Sequence, residues 1–431
     1  MALRRKATAT RLVALALLIV LLAACSARTA PPEPTPAAAP GAPGVTLVVW
    51  HGWYGAERQA LGRLADRYNR LHPEGRISLV SVPLATFASE LRAATAAGGG
   101  PHLALLPNTW VGELAATGAL LPLDELVSDA EREALIPAAL GGAQAPDRDG
   151  AMHLYGLPVA FDTLALYYNT ANLSAPPADT ETLLVSARGL GDPTAAPPIW
   201  GLALNLSLDN TIGYLYAFGG QIFGEDGSLV LGGEGRAGTE RWLAWLQALN
   251  ADERILARAD SSIHVDRELK DGRVLMTFDW SHQVAAYRSL WGANMGVAPL
   301  PRLSETGELP RPYVRSDVLA INSRAGAAER EAALAFVRFM LSDEAQAELL
   351  ASDMQPARAT LPLEGDAPHL VAARAFRAQA EHGLPMPNSA VRAIVEQELK
   401  VMQRQVLAGL ATPADAVTEA DRRLRDRLAN S

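Results

Sequence analysis

Apolar and polar positions along this chain follow two periods. TLVVW (46–50), ISLVSVP (77–83) and LALLP (103–107) are short apolar runs bounded by turn residues, and they predict buried strands. Between the first two lies ERQALGRLADRYNRLH (57–72). There Leu61, Leu64, Ala65, Tyr68 and Leu71 recur on one helical face before His72-Pro73-Glu74-Gly75 stops the helix. Strand, helix and strand at this spacing make a βαβ unit, which implies a parallel sheet with helices on its faces. The pattern predicts further helices over 87–100, 239–250, 329–350 and 390–410. The last carries Ile394, Val395, Leu399, Met402, Val406 and Leu410 on one stripe. Runs at 165–169, 274–278, 296–301 and 318–322 are strand-like, and no short-period repeat is present.

One run breaks its own pattern. YGLPVAFDTLALYYNT (155–170) is apolar, β-branched and aromatic except for a single acid, Asp162, and it ends at Asn169. Burying a lone carboxylate in a strand is costly unless something pairs it, so Asp162 is a candidate functional residue.

The ends read differently from the middle. Arg4, Arg5, Lys6 and Arg11 precede LVALALLIVLLAA (12–24), which is too short to span a ~30 Å hydrocarbon core comfortably and reads as a secretory signal at 1–24. It ends in LLAAC, which resembles the bacterial lipobox; the resemblance implies cleavage before Cys25 and lipidation of its sulfur. The plainer alternative is an uncleaved anchor with an incidental cysteine. Cys25 is the only cysteine, so no internal disulfide is possible. Cys25 and the Pro/Ala-rich stretch that follows it (25–44) read as a lipidated tether. The remaining ~390 residues exceed what one core usually holds, so two domains are expected. With 49% hydrophobic and 20% charged residues the chain reads as globular. Its formal net charge of −9 comes with no basic patch for nucleic acid and no basic amphipathic helix for lipid.

Catalytic signatures are absent. There is no G-x-S-x-G elbow, no H-E-x-x-H and no Cys/His metal spacing, and GGGP (98–101) lacks the Gly-Lys-Ser/Thr of a phosphate loop. No catalytic residue, metal ligand or cofactor site is therefore assigned. A carboxylate pair serving a glycosidase stays open, since the chain has 47 acids. Aromatic residues do stand beside polar ones after strands, in WHGWYG (50–55), PNTW (107–110) and FDWSH (278–282). Ligands of open α/β sheets bind outside the carboxyl ends of strands. Flat rings beside amides and carboxylates are what a sugar site needs; the alternative is that each tryptophan is core.

In order and spacing these segments resemble the extracellular solute-binding proteins of ABC importers, in the maltose- and oligosaccharide-binding branch. The resemblance runs through LVVWHG, PHLALLPNTWVGELAATGALLPLDEL, YGLPVAFDTLALYYNT, YAFGGQIFGEDG (216–227), LKDGRVLMTFDWSH (269–282), GVAPLPR (296–302), MQPARAT (354–360) and VLAGLATPADAVTEADRRL (406–424). It implies an α/β, two-lobe periplasmic-binding-protein-like fold of type II. Each lobe would be a mainly parallel sheet flanked by helices, joined by a hinge crossed three times. The N-terminal lobe would take 45–165 plus 298–343, and the C-terminal lobe 168–296 plus 344–431. The crossovers would fall near Leu164–Tyr168, Gly296–Pro301 and Met340–Glu344.

The resemblance also implies a site. Asp162 matches an acid that accepts sugar hydroxyls, and Trp280 matches a stacking tryptophan, with Asp279 beside it. Asn108, Thr109 and Trp110 occupy the polar loop of the first lobe, where maltodextrin binders often have an acid and a base; that departure leaves maltodextrin specificity open. Trp53 and Tyr54 sit at the first cleft loop. Asp317 and Arg358 are further candidates, with Arg315 and Gln355 behind them. The implied protein is not an enzyme. It is an exported monomer, lipid-anchored on the outer face of the cell membrane, periplasmic or extracellular. It would capture a sugar, an oligosaccharide, for ABC permease subunits, with no cofactor and no nucleic acid. The alternatives are the same fold with another solute (glycerol phosphate, a polyamine, a metal), a surface glycosidase, or a surface adhesin. Phosphate would want convergent Arg and Lys, of which these loops have few.

Because Cys25 ends the lipobox-like LAAC, Cys25→Ser is expected to release the protein from membranes or block its processing. Fractionating cells that express each form checks this; equal membrane retention with the signal cleaved would refute lipidation.

Overall fold

The computed structural model describes residues 44–147, 149–224, 227–258, 262–389 and 391–430. The leader, Cys25 and the tether through residue 43 lie outside them. The strands in chain order are β1 (Val45–His51), β2 (Gly75–Ser81), β3 (Leu103–Pro107), β4 (Gln144–Pro146), β5 (Met152–Leu154), β6 (Leu157–Asp162) and β7 (Leu164–Asn169). There follow β8 (Ala203–Asn205), β9 (Leu256–Arg258), β10 (Met276–Trp280), β11 (Met295–Ala298), β12 (Tyr313–Ile321), β13 (Gln355–Pro356) and β14 (Leu384–Pro385). One sheet runs β13-β6-β12-β3-β1-β2, with β14 beside β12; a second runs β11-β7-β10-β8-β9; β4 and β5 form a small hairpin.

The βαβ pattern holds where it was clearest: β1 pairs parallel with both β2 and β3 around the helix Gly55–Leu71. The expectation of mainly parallel sheets is corrected. β12 runs antiparallel between β3 and β6, and β7 is antiparallel to both β10 and β11. Both sheets are mixed because the chain re-enters each one from the other lobe, and such a strand is free of the direction a βαβ crossover imposes.

Each sheet has its own core. Leu47, Val49, Phe87, Leu105, Leu319 and Phe336 belong to the first, and Trp242, Leu246, Phe278, Leu399 and Val417 to the second. A third cluster, with Phe161, Val314, Tyr167 and Phe376, joins strands of both sheets. Apolar side chains of both sheets therefore pack at the seam between the lobes.

The crossings are sharper than the pattern implies. β6 ends at Asp162 and β7 starts at Leu164, so the first crossing is the single residue Thr163, just ahead of the expected Leu164–Tyr168. Thr163 is fully buried, donates its hydroxyl to the Tyr313 carbonyl at 3.1 Å, and accepts the Ser281 amide at 3.0 Å. The second crossing lies over 299–312, between β11 and β12. A single helix over 329–350 is predicted, but the structure has two, Ala327–Met340 and Asp343–Ala351. The Ser342 hydroxyl caps the second by accepting the Ala345 amide at 3.2 Å. Both helices contribute to the first core, and β13 joins β6. Residues 344–356, expected in the second lobe, thus lie in the first, and the third crossing comes after β13. The helix Pro368–Ala380 beyond it packs on β7 and β11.

Pro158 sits inside the first sheet without an N–H to give. The sheet accommodates it with a bulge: Asp317 faces Ala160 but Val318 faces Pro158. The Val159 carbonyl skipped by the bulge accepts from Gln346 Nε2 at 2.9 Å. Gly156 enables the approach, since a Cβ there would stand 2.4 Å from Val318 Cγ1.

Ser342→Ala removes the cap at the helix break and is expected to cost about 1 kcal/mol. The check is an earlier midpoint in urea or heat; an unchanged midpoint would show that the break is set elsewhere.

Candidate functional site

Asp162 ends β6 at the seam. Its Oδ1 accepts from the Ser281 hydroxyl at 2.7 Å and the His282 amide at 3.2 Å, and its Oδ2 lies 2.9 Å from His282 Nδ1. Ser281 and His282 follow β10, so a carboxylate of one sheet is held by the strand end of the other. Directly opposite Asp162 in the ladder stands Arg315, whose Nη2 is 3.7 Å from Oδ2. Burial pushes the Asp162 carboxyl up, but the His282 bond, the Arg315 charge and the Ser281 bond outweigh it and hold it below the usual range.

Strand alternation gathers the rest. Arg315 and Asp317, two apart on β12, share a face. The Arg315 guanidinium carbon lies over Trp280, 3.3 Å from the ring centroid, a cation–π contact. Trp280 is only 6% exposed; its Nε1 donates to Asn210 Oδ1 at 3.1 Å. Asp317 is pushed up to about 7, first by burial and then by the Glu57 charge, against the Trp53 indole.

Two hollows meet at Phe161, Asp162 and Asp317. One, of about 460 Å³, reaches Tyr54, Glu57, His282 and Gln355. The other, of about 430 Å³, reaches Asn108, Thr109, Asp209 and Arg392. A third, of about 510 Å³, continues from Asp209, Met386, Arg392 and Glu396 to Tyr216, Phe223 and Tyr313. Each volume suits a small ligand.

The structure sorts the sequence candidates. Asp162, Thr109, Tyr54 and Asp317 line the hollows, and Tyr54 is 74% exposed at the edge. Asn108 is 1% exposed and is engaged in scaffolding: it donates to the Met386 carbonyl at 2.8 Å and accepts the Ser316 amide at 3.1 Å. Trp53 belongs to the first core, and Trp110 packs on Phe87 at 5.6 Å, so the apolar face of the first lobe absorbs both rings. Asp279 accepts the Trp280 amide on Oδ1 at 2.8 Å, but its side chain does not join the Trp280 ring. Neighbours on a strand point to opposite faces, and Asp279 accepts from Tyr287 Oη at 2.8 Å beside a separate hollow of about 370 Å³. Arg358 is held at the helix break, by the Leu341 carbonyl at 3.1 Å and Asp343 at 2.8 Å, away from the hollows above. Sequence reasoning passed over Ser281 and His282, although both stand in the quoted FDWSH, and over Glu57, Asp209 and Arg392. For the first two, position directly after a predicted strand was the available signal.

Two mixed α/β lobes, a buried one-residue crossing and a cleft at strand ends define a periplasmic-binding-protein-like class. The chain matches the bacterial extracellular solute-binding protein family over residues 63–371, and it belongs to that family. A maltotriose-binding protein of Pyrococcus abyssi is 27% identical over 310 residues, which is 72% of this chain; the alignment spans 65% of that relative's length. A cyclo/maltodextrin-binding protein complexed with maltotetraose superposes with a TM-score of 0.75 at 22% identity, covering 90% of this chain and 98% of that one. The Thermus thermophilus maltotriose binding protein bound with maltotriose gives 0.69 at 22% identity, covering 89% and 100%. Among the described residues no helix is long and apolar enough to cross a membrane.

The Asp162–His282 pair gives a pH test. The Asp162 bond, against burial, holds His282 above its ordinary value, so its contribution is full below ~6.5 and fades as pH rises through the folded value. Asp162 is held low, so its contribution is present above ~4 and fades in acid. His282→Gln is therefore expected to lower stability more near pH 5.5 than near pH 9. Urea midpoints of both proteins at both pH values check this; an equal deficit would refute the charged pair.

Proposed function

We propose that this protein captures a sugar, an oligosaccharide, between its lobes and delivers it to the permease of an ABC importer, held at the outer face of the membrane by lipid on Cys25. No bond is made or broken in the sugar. The observation that carries this reading is Asp162: a carboxylate at the mouth of the hinge, reached from both lobes and bordering two hollows of the cleft. The relatives named for maltotriose and maltodextrin support the cargo class.

In this reading Asp162, Asp317, Thr109 and Tyr54 face the ligand. Trp280 stacks on it once Arg315 swings off the ring. Asp162 already has protein donors, so sugar hydroxyls add to or exchange with them at small cost. Only a ligand touching both lobes shifts the open–closed equilibrium.

Asp162→Asn keeps the size and removes the charge. A hydrogen bond to a charged group contributes about 1.5–3 kcal/mol, so the variant is expected to bind about tenfold to a hundredfold more weakly. Calorimetric titration with maltotriose and related oligosaccharides, paired with the ligand-free melting midpoint, checks this. Unchanged affinity in a folded variant would remove Asp162 from the site.

A further inference from the structure

The hollow reaching Tyr54 has a wall rich in acceptors. Two of its acids are already matched. Asp353 is held by both terminal nitrogens of Arg288 at 2.6 and 2.7 Å, and Asp162 by His282, Ser281 and Arg315. Glu57 and Asp317 also line this hollow, and among the described residues neither forms an ion pair. The backbone of Tyr54 is beside Glu57, and the Trp53 indole is beside Asp317. Burial pushes both carboxyls up, and the Glu57 charge raises Asp317 further. Gln355 is an independent sign. It lines the same hollow, is 3% exposed, and its Oε1 meets no donor among the described residues. An unmatched buried acceptor is costly, and a donor brought into the hollow would relieve it.

The chemistry narrows what that donor is. A metal ion needs several converging oxygen or nitrogen ligands, and among the described residues no three His, Cys, Asp or Glu side chains converge in that way. A neutral hydroxyl supplies donors but no charge, and the positive groups that act on these two carboxyls, Arg315 on Asp317 and His282 on Glu57, are already drawn to Asp162. An ammonium group supplies donors and charge together, and its hydrogen bonds to carboxylates are the stronger kind.

We infer that this hollow is a subsite for a protonated amine, with Glu57, Asp317 and Gln355 as its acceptors, and that the cargo is an amine-bearing saccharide. The inference rests on the sugar-capture reading and names its substrate class. The test is calorimetric titration near pH 7.5 with matched sugars: glucosamine and its trimer, their N-acetylated forms, glucose and maltotriose. An amine-bearing sugar is expected to bind at least tenfold tighter than its neutral counterparts. Asp317→Asn is expected to erase that preference. Glu57→Gln, in the first turn of the helix Gly55–Leu71, is a second variant with less risk to the fold, and should weaken the preference too. Neutral sugars binding as tightly as amines would overturn the inference and leave sugar capture standing. A preference that survives both folded variants would overturn the assignment to these residues. Spermidine is titrated alongside: if it binds and none of these sugars does, the saccharide cargo and sugar capture are overturned while the amine subsite stands, and if nothing binds, both readings are overturned.

Discussion

One partly exposed carboxylate at the seam organises this molecule. Asp162 closes β6 of one sheet one residue before the chain enters the other. Burial there penalises the charge, and the seam supplies the compensation: Ser281 and His282 from the second sheet, Arg315 from the first. Removing any one leaves a charged group short of partners, which is where buried pairs are vulnerable. The crossing at Thr163 is tied on both sides, to Tyr313 and to Ser281, so the lobes meet at a point fixed by hydrogen bonds instead of a slack linker.

Arg315 links that charge to Trp280 of the second core. One guanidinium neutralises Asp162 and covers Trp280. A sugar ring stacking on Trp280 competes with the guanidinium for the same face. If the guanidinium then turns fully toward Asp162, the energy lost over the ring is offset by a closer ion pair. In the proposed site, ligand and protein would exchange partners at the hinge, and the cost of uncovering Trp280 would be recovered only by ligands large enough to fill the space. This is a physical route to selectivity for rings over small polar solutes.

Much of the architecture is written in periodicity. β3 coincides with the run LALLP, and the helix around Leu61 and Tyr68 differs from its predicted bounds by a residue or two. What escaped was long-range. The helix break at Ser342 is invisible to an apolar pattern that continues across it, because a cap is a local event within the pattern. The first half of β12, YVRSD, carries Arg315 and Asp317 precisely because it borders the cleft, and that polarity disguised it as loop. The site split for the same reason: Asp279 and Trp280 are neighbours in sequence but face opposite sides of β10. Trp53 and Trp110 follow strands as binding residues do, yet Trp53 lies in the first core and Trp110 packs partly exposed against it, because ring position along the chain does not fix ring direction.

The cleft also bears on the glycosidase alternative. Asp317 is raised to about 7 while Asp162 is held low, a split of the kind an acid and its partner carboxylate show. The partner must keep a lone pair for water or for the sugar. Here Oδ1 already accepts from the Ser281 hydroxyl and the His282 amide, while Oδ2, bonded to the His282 ring, keeps room for a hydroxyl donor but lies beside the Arg315 charge. A carboxylate bonded this way is stabilised as a charge and weakened as a nucleophile or base. The same pair is well suited to binding, because closing the lobes around a donor-rich ligand changes how these charges are shared without asking either group to transfer a proton.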